Sequence, residues 1–167
     1  MSYYRRPRIS GASIFFTVNL ADRRSDLLVR EVDLLRSAVV ATKAERPFHI
    51  DAWVVLPDHV HAVWTLPAGD ADFSVRWGAI KSRFTRAVKV SGRVGFHPTL
   101  HRSSSKIRKG DAGIWQRRFW EHHIRDAADY AAHVRYCLTN PVKHGFVEHP
   151  EQWQWSSVHR DMREGRY

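Results

Sequence analysis

The chain of 167 residues carries a single cysteine, Cys137, which excludes an intrachain disulfide framework and a cysteine-based zinc site. A reducing, cytoplasmic setting is the expectation that follows. No apolar run approaches the roughly 18 residues that a membrane span requires. The basic start MSYYRR is followed only by a short, polar-interrupted segment at 14–20, too brief for the core of a secretion signal. A Walker-type glycine-rich loop is also missing, so nothing in the chain calls for ATP. Acidic residues are scarce: 17 Asp and Glu stand against 27 Lys and Arg.

That imbalance gives a formal charge of +10 and a pI near 10.3. A field of this sign favours polyanions, nucleic acid above all. An anionic membrane surface is the rival partner, but the basic residues do not line one face of a long amphipathic helix. Apolar residues at 43% and charged residues at 26% are an ordinary balance for a soluble protein. The length suits one domain over 1–167 with its own core.

Periodicity orders the elements. Residues 1–13 read as a basic, aromatic arm with Tyr3, Tyr4, Arg5, Arg6 and Arg8. Segment 14–20 is β-branched and aromatic, a strand. Over 25–45, Leu28, Val32, Leu35 and Val39 recur at helical spacing. Segments 48–56 and 59–66 form a hairpin around Pro57-Asp58. A second helix spans 73–90, with Phe73, Trp77, Ile80, Phe84 and Val88 as its buried stripe. Residues 91–113 are rich in Gly, Ser, Arg and Lys and read as a flexible basic loop. A fourth strand is expected at 114–121 and a third helix at 126–138, stopped by Asn140-Pro141. A tail over 141–167 closes the chain. The order β-α-β-β-α-β-α builds an antiparallel sheet with packed helices, the α+β split-βαβ or ferredoxin-like plan.

Two features carry chemistry. His59 and His61 are two apart on a strand, so their side chains share one face while Val60, Ala62, Trp64 and Leu66 take the core face. Two adjacent imidazoles are good ligands for a divalent metal, although a surface histidine pair has the same pattern. On the third helix the core stripe runs through Ala127, Tyr130 or Ala131, Val134, Cys137 and Leu138. Tyr136 falls on the opposite side with Asp129, Ala132, His133 and, one turn on, Asn140. Packing of Tyr136 against Phe146, Trp153 and Trp155 of the tail is the structural alternative. His122 and His123 read as DNA-facing or merely solvated.

The segments PDHVHAVW and HVRYCLTNPVKHGFV resemble the paired motifs of the single-tyrosine HUH transposases (His-hydrophobe-His, then Tyr-x-x-x-Asn-Pro). With YYRRPRISG, FFTVNL, RPFHIDAWVVLPDHVH, IWQRRFWEHHIRD and NPVKHG, the likeness covers nearly the whole chain and narrows to the bacterial REP-associated tyrosine transposases. The resemblance implies an HUH palm on a ferredoxin-like sheet that binds hairpins of repetitive extragenic palindromes with a flanking tetranucleotide. It implies cleavage of single-stranded DNA by Tyr136, with Mg²⁺ or Mn²⁺ held by His59, His61 and Asn140. It further implies a monomer in the bacterial cytoplasm, associated with the nucleoid. Related transposases often use Gln at the Asn140 position, and loop 91–113 is longer than the family leads one to expect.

The chemistry expected is attack by the Tyr136 hydroxyl on a phosphodiester, departure of a 3′-hydroxyl, and a covalent 5′-phosphotyrosine. A tyrosine ordinarily titrates near about 10, so a group must take its proton; His133 and Asp129 are the candidates on the same helix face. Two imidazoles suit manganese better than magnesium. DNA contacts are expected from Arg5, Arg6, Arg8, Lys81, Arg83, Arg117, Arg118, Arg125 and Lys143, with Tyr3 or Tyr4 stacking on bases. A hairpin-binding protein without chemistry, and a phosphodiesterase that uses water, are the competing readings.

Overall fold

The computed structural model describes residues 8–92 and 113–167. Tyr3, Tyr4, Arg5, Arg6 and nearly all of the 91–113 loop lie outside the described residues.

Strand β1 (Ser13–Asn19) is followed by helices α1 (Leu27–Arg30) and α2 (Val32–Glu45), then the hairpin β2 (His49–Val55) and β3 (His59–Thr65). Helix α3 (Phe73–Ser91), strand β4 (Trp120–His123), helix α4 (Ala127–Lys143) and the short helix α5 (Val158–Arg163) complete the order. The four strands form one sheet in the order β2-β3-β1-β4, every neighbouring pair antiparallel. This is the ferredoxin-like arrangement expected of a β-α-β-β-α-β chain.

Alternation along the strands divides the side chains between two covered faces. Ile14, Phe16 and Val18 of β1 join Val60, Ala62 and Trp64 of β3 in a core roofed by α2 and α3. Trp64 and Trp77 stack there with centroids 4.4 Å apart and planes within 14°. Arg76 is buried at the edge of this core, and Asp70 together with the Arg46 and Pro47 carbonyls satisfies its guanidinium. The other face carries Phe15, Ala52, Val54 and Val63, covered by Cys137 of α4 and by Trp153. Opposed residues in an antiparallel ladder point the same way. The pairs Asn19↔His59, Thr17↔His61, Phe15↔His122 and Thr17↔Trp120 therefore place Thr17, both β3 histidines, Trp120 and His122 on this second face.

Three expectations are corrected. The helix expected at 25–45 is interrupted at Glu31. Its apolar stripe survives the break because Leu28 docks through its amide on the Pro57 carbonyl, 3.2 Å away. The fourth strand lies at Trp120–His123 rather than 114–121. Ile114 and Trp115 are both buried, which a strand with one core face does not allow of neighbours, and Trp115 makes only an isolated bridge to Leu20. Arg117 and Arg118 therefore precede the strand, exposed, instead of alternating across it. The third helix does not stop at Asn140. It runs through Pro141 to Lys143, with the His144 amide bonded to the Asn140 carbonyl at 3.0 Å. A proline inside a helix normally costs about 3 kcal/mol. Pro141 is buried within this last turn, and Gly145 ends it at φ 72°.

The tail is tied to the β2 edge of the sheet, with an isolated bridge between Val54 and Ser156. Trp155 and Ser157 hydrogen-bond with the backbone of Val55 and Trp53, and Arg160 caps the Ile50 and Asp51 carbonyls. These bonds close the exposed edge of β2.

Candidate active site

His59 opens β3 directly after the Pro57-Asp58 turn, and His61 follows on the same face; each is only 4% exposed. Their rings lie 4.8 Å apart with planes at 82°. The Asp58 carboxylate sits 2.7 Å from His59 Nδ1, while its other oxygen pairs with Arg23 at 2.7 Å. Thr17, the cross-strand partner of His61, places its hydroxyl 2.9 Å from His61 Nδ1. With Nδ1 of each ring engaged, Nε2 is the nitrogen each imidazole can offer to a ligand, the usual outer-shell orientation of a metal-binding histidine. Burial lowers the pKa of His59 against the opposing effect of Asp58. Burial, then the neighbouring His59 and His144, pushes His61 down to about 3. Both rings are thus neutral near pH 7, as metal ligation requires.

Helix α4 lies across this pair. The Tyr136 ring meets His61 edge-on at 5.1 Å and Phe15 at 5.7 Å. Lys143 holds its ammonium 5.0 Å above the same tyrosine ring. Tyr136 is 37% exposed, so it is not sealed in packing. Phe146 and Trp153 instead stack on each other, 5.3 Å apart. Two turns along, His144 comes within 5.4 Å of His59, a neighbour that sequence reasoning did not identify. Asn140 lies between Tyr136 and His144 at the same four-residue spacing. It is fully buried, and among the described residues neither its Oδ1 nor its Nδ2 has a hydrogen-bond partner. An orphaned buried amide costs about 1–3 kcal/mol. An oxygen donor left in that condition, one turn beyond the tyrosine that meets His61, has the chemistry of a ligand for a divalent cation.

A second group of ligands lies on the far side of Phe15. His122, Asp129 and His133 bring three ligand atoms within 4.8 Å of one another, a set that could hold a metal ion. The Asp129 carboxylate takes His122 Nε2 at 2.8 Å and the Arg125 amide at 3.0 Å, and His133 Nδ1, which bonds to the Asp129 carbonyl, lies 3.0 Å from its other oxygen. Hydrogen bonding from His122, then from Arg125, holds this carboxyl well below the usual range. Its hydrogen bonds to His122 and Arg125 make Asp129 a weaker proton acceptor than an ordinary carboxylate. His122 is half-buried in this group rather than simply solvated, and His123 points to the opposite face, 5.7 Å from the Phe73 ring. Tyr130 is the packed tyrosine, its hydroxyl donating to Asp51 at 2.8 Å. Burial and Asp51 push it up to about 12.

The basic residues separate. Lys143 and Arg125 flank the site. Arg8 is exposed and pairs weakly with Asp72 at 3.8 Å. Lys81 and Arg83 belong to α3, in the opposite layer. Lys81 bonds to the Gln116 carbonyl and lies over the Trp115 and Phe119 rings, while Arg83 bonds to Thr42 and Glu45 of α2. The structure does not bring these two to Tyr136. Among the described residues no helix is long and apolar enough to cross a membrane.

No protein-family model matches the chain. A REP-associated tyrosine transposase of Escherichia coli (strain K12) is 48% identical over 167 residues, covering 100% of this chain and 88% of the relative. A Haemophilus influenzae protein, provisionally given the same name, is 41% identical over 98% of this chain and 89% of its own length. Among solved structures, a REP-associated tyrosine transposase bound to a REP hairpin superposes with a TM-score of 0.85 at 47% identity, covering 100% of this chain and 88% of that one.

Proposed function

The chain belongs to the REP-associated tyrosine transposases, and from that premise we propose that it nicks and rejoins single-stranded DNA beside REP-type hairpins, with Tyr136 as nucleophile. The approach of the Tyr136 ring to His61, with Asn140 one turn away and unpartnered among the described residues, carries this reading. His59, His61 and Asn140 would hold Mg²⁺ or Mn²⁺. Such an ion supplies Lewis-acid polarisation of the scissile phosphate and offsets charge in the transition state.

The protein's own groups do the rest. The Tyr136 hydroxyl attacks phosphorus in line, the bond to the 3′ oxygen breaks, and the 5′ phosphate stays on the tyrosine. Lys143, above the ring, offsets negative charge as the phenol and phosphate meet. A 3′-hydroxyl from a second strand reverses the attack and joins. One phosphodiester replaces another, so no nucleotide triphosphate is consumed.

Trp120 supplies a grip that the basic residues do not. It is 54% exposed on the edge strand, braced edge-on against Phe15 and stacked on His122. Its face suits an unpaired base next to the scissile phosphate. Arg125, Lys143, Arg117 and Arg118 add phosphate contacts around it. The Tyr136 ring meets His61 of its own chain, which supports a site carried by a single copy.

The test is incubation of labelled hairpin DNA with Mn²⁺ and the full chain, followed by denaturing electrophoresis. A covalently shifted species should form with the wild type and disappear with Tyr136→Phe, while hairpin retention in a native gel persists. An adduct that survives Tyr136→Phe would refute the nucleophile, and cleavage without any adduct would point to water.

A further inference from the structure

We propose that His122, Asp129 and His133 form a second divalent-metal site, selective for first-row transition ions, that fixes the start of α4 against the sheet. This is independent of the His59/His61 pair and of the nuclease reading. The Phe15 ring stands between them, 5.5 Å from His61 and 4.8 Å from His133.

The donors come from two elements. His122 projects from β4, while Asp129 and His133 lie one turn apart on α4, so that a shared ion joins strand to helix. The two imidazoles already stack face to face, 4.6 Å apart with planes within 20°. Both converge on one carboxylate, at 2.8 Å and 3.0 Å. The Asp129 side chain is 8% exposed and is anchored by the Arg125 amide at 3.0 Å, so the central ligand stays in position. An ion would replace the present contacts of its own ligand atoms, beginning with the one from His122 Nε2 to Asp129 Oδ2. His133 Nδ1 also lies 2.9 Å from the Asp129 carbonyl, and the Arg125 guanidinium lies 3.2 Å from Asp129 Oδ2. That guanidinium is 75% exposed and can swing into solvent.

Two imidazole nitrogens and one carboxylate select zinc, cobalt, nickel or manganese over magnesium and calcium, which prefer all-oxygen shells. Three protein ligands leave further positions for water. The consequence is rigidity: His133 and Tyr136 both pack on Phe15, so tying His133 to β4 steadies the helix that carries the tyrosine.

The test uses untagged full chain with Co²⁺ and Zn²⁺ as probes. A His59→Ala/His61→Ala variant, which removes the first pair, should still bind one equivalent by calorimetry. It should show visible Co²⁺ absorption and gain thermal stability with Zn²⁺ but not with Mg²⁺. Adding Asp129→Asn should weaken binding roughly tenfold or more. In the wild type, imidazole NMR during Co²⁺ titration provides a reading that no substitution can disturb. Broadening of His122 and His133 supports the site. Broadening confined to His59, His61 and His144, or no binding by the double variant when it is folded, overturns it and leaves the trio as an ion-paired network.

Discussion

The Tyr136 ring stands edge-on to the His61 imidazole, centroids 5.1 Å apart and planes at 73°. One residue comes from the helix that closes the sheet face and the other from the strand beneath it, 75 positions earlier in the chain. The contact is made through the ring. Tyr136→Phe should therefore keep the packing and change Tm by no more than a degree or two, while nicking falls to background. A large fall in Tm measured by circular dichroism would show the hydroxyl to be structural instead.

Asp58 faces His59 from the turn and is itself held by Arg23. Asp58→Asn removes the charge that orients the imidazole while preserving the shape of the turn. The expected result is a roughly 10–100-fold rise in the Mn²⁺ concentration needed for half-maximal nicking, with activity restored at high Mn²⁺. An unchanged metal dependence would remove Asp58 from the site.

Asn140 is fully buried with no partner for its amide among the described residues. Asn140→Leu replaces that group with an apolar one of similar volume. Without metal, the protein should become more stable by about 1 kcal/mol or more, since the orphan penalty is relieved. In the same variant nicking should collapse. Urea unfolding in the presence of chelator decides the first point, and destabilisation there would mean that the carboxamide has a structural partner.

Histidines held neutral by burial make stability depend on pH. His59, His61 and His123 all have lowered pKa values in the fold, His61 down to about 3. The unfolded chain, with imidazoles near their usual 6.5, binds more protons below that pH than the folded chain does. This stability is complete above the unfolded value and is lost as pH falls from about 6.5 toward about 3. Urea midpoints should decline through that window, and His61→Gln should flatten the decline. A pH-independent midpoint over the window would contradict the burial of these rings.

Trp120 is exposed and contributes little to the core. Trp120→Ala should leave Tm nearly unchanged and weaken binding of single-stranded flanks by about 1–3 kcal/mol. Fluorescence anisotropy on hairpins with and without the unpaired flank separates the two contributions. Equal loss on both would place Trp120 elsewhere on the DNA.

Local pattern was enough for the strands β1 to β3, the long helix α3 and the separation of Tyr136 from its helix's apolar stripe. Alternation and helical spacing respond only to which side is buried. Pattern misled wherever burial came from outside the segment. Ile114 and Trp115 looked like a strand because both are apolar and bulky, yet they are neighbours buried together beside Phe84. Pro141 looked like a stop because its local cost is real, but packing outweighs it.

The sequence by itself determined the chemical inventory: the basic charge, a histidine pair on one strand face, a tyrosine off its helix's stripe, and an asparagine one turn beyond. Tertiary structure alone decided which groups meet. It placed Asp58 and Thr17 behind the imidazoles, brought His144 to His59, buried Asn140 without a partner among the described residues, and carried Lys81 and Arg83 to the other layer. Those outcomes depend on strand register and on the side of the sheet that each helix crosses, and both are set by contacts between residues far apart in the chain.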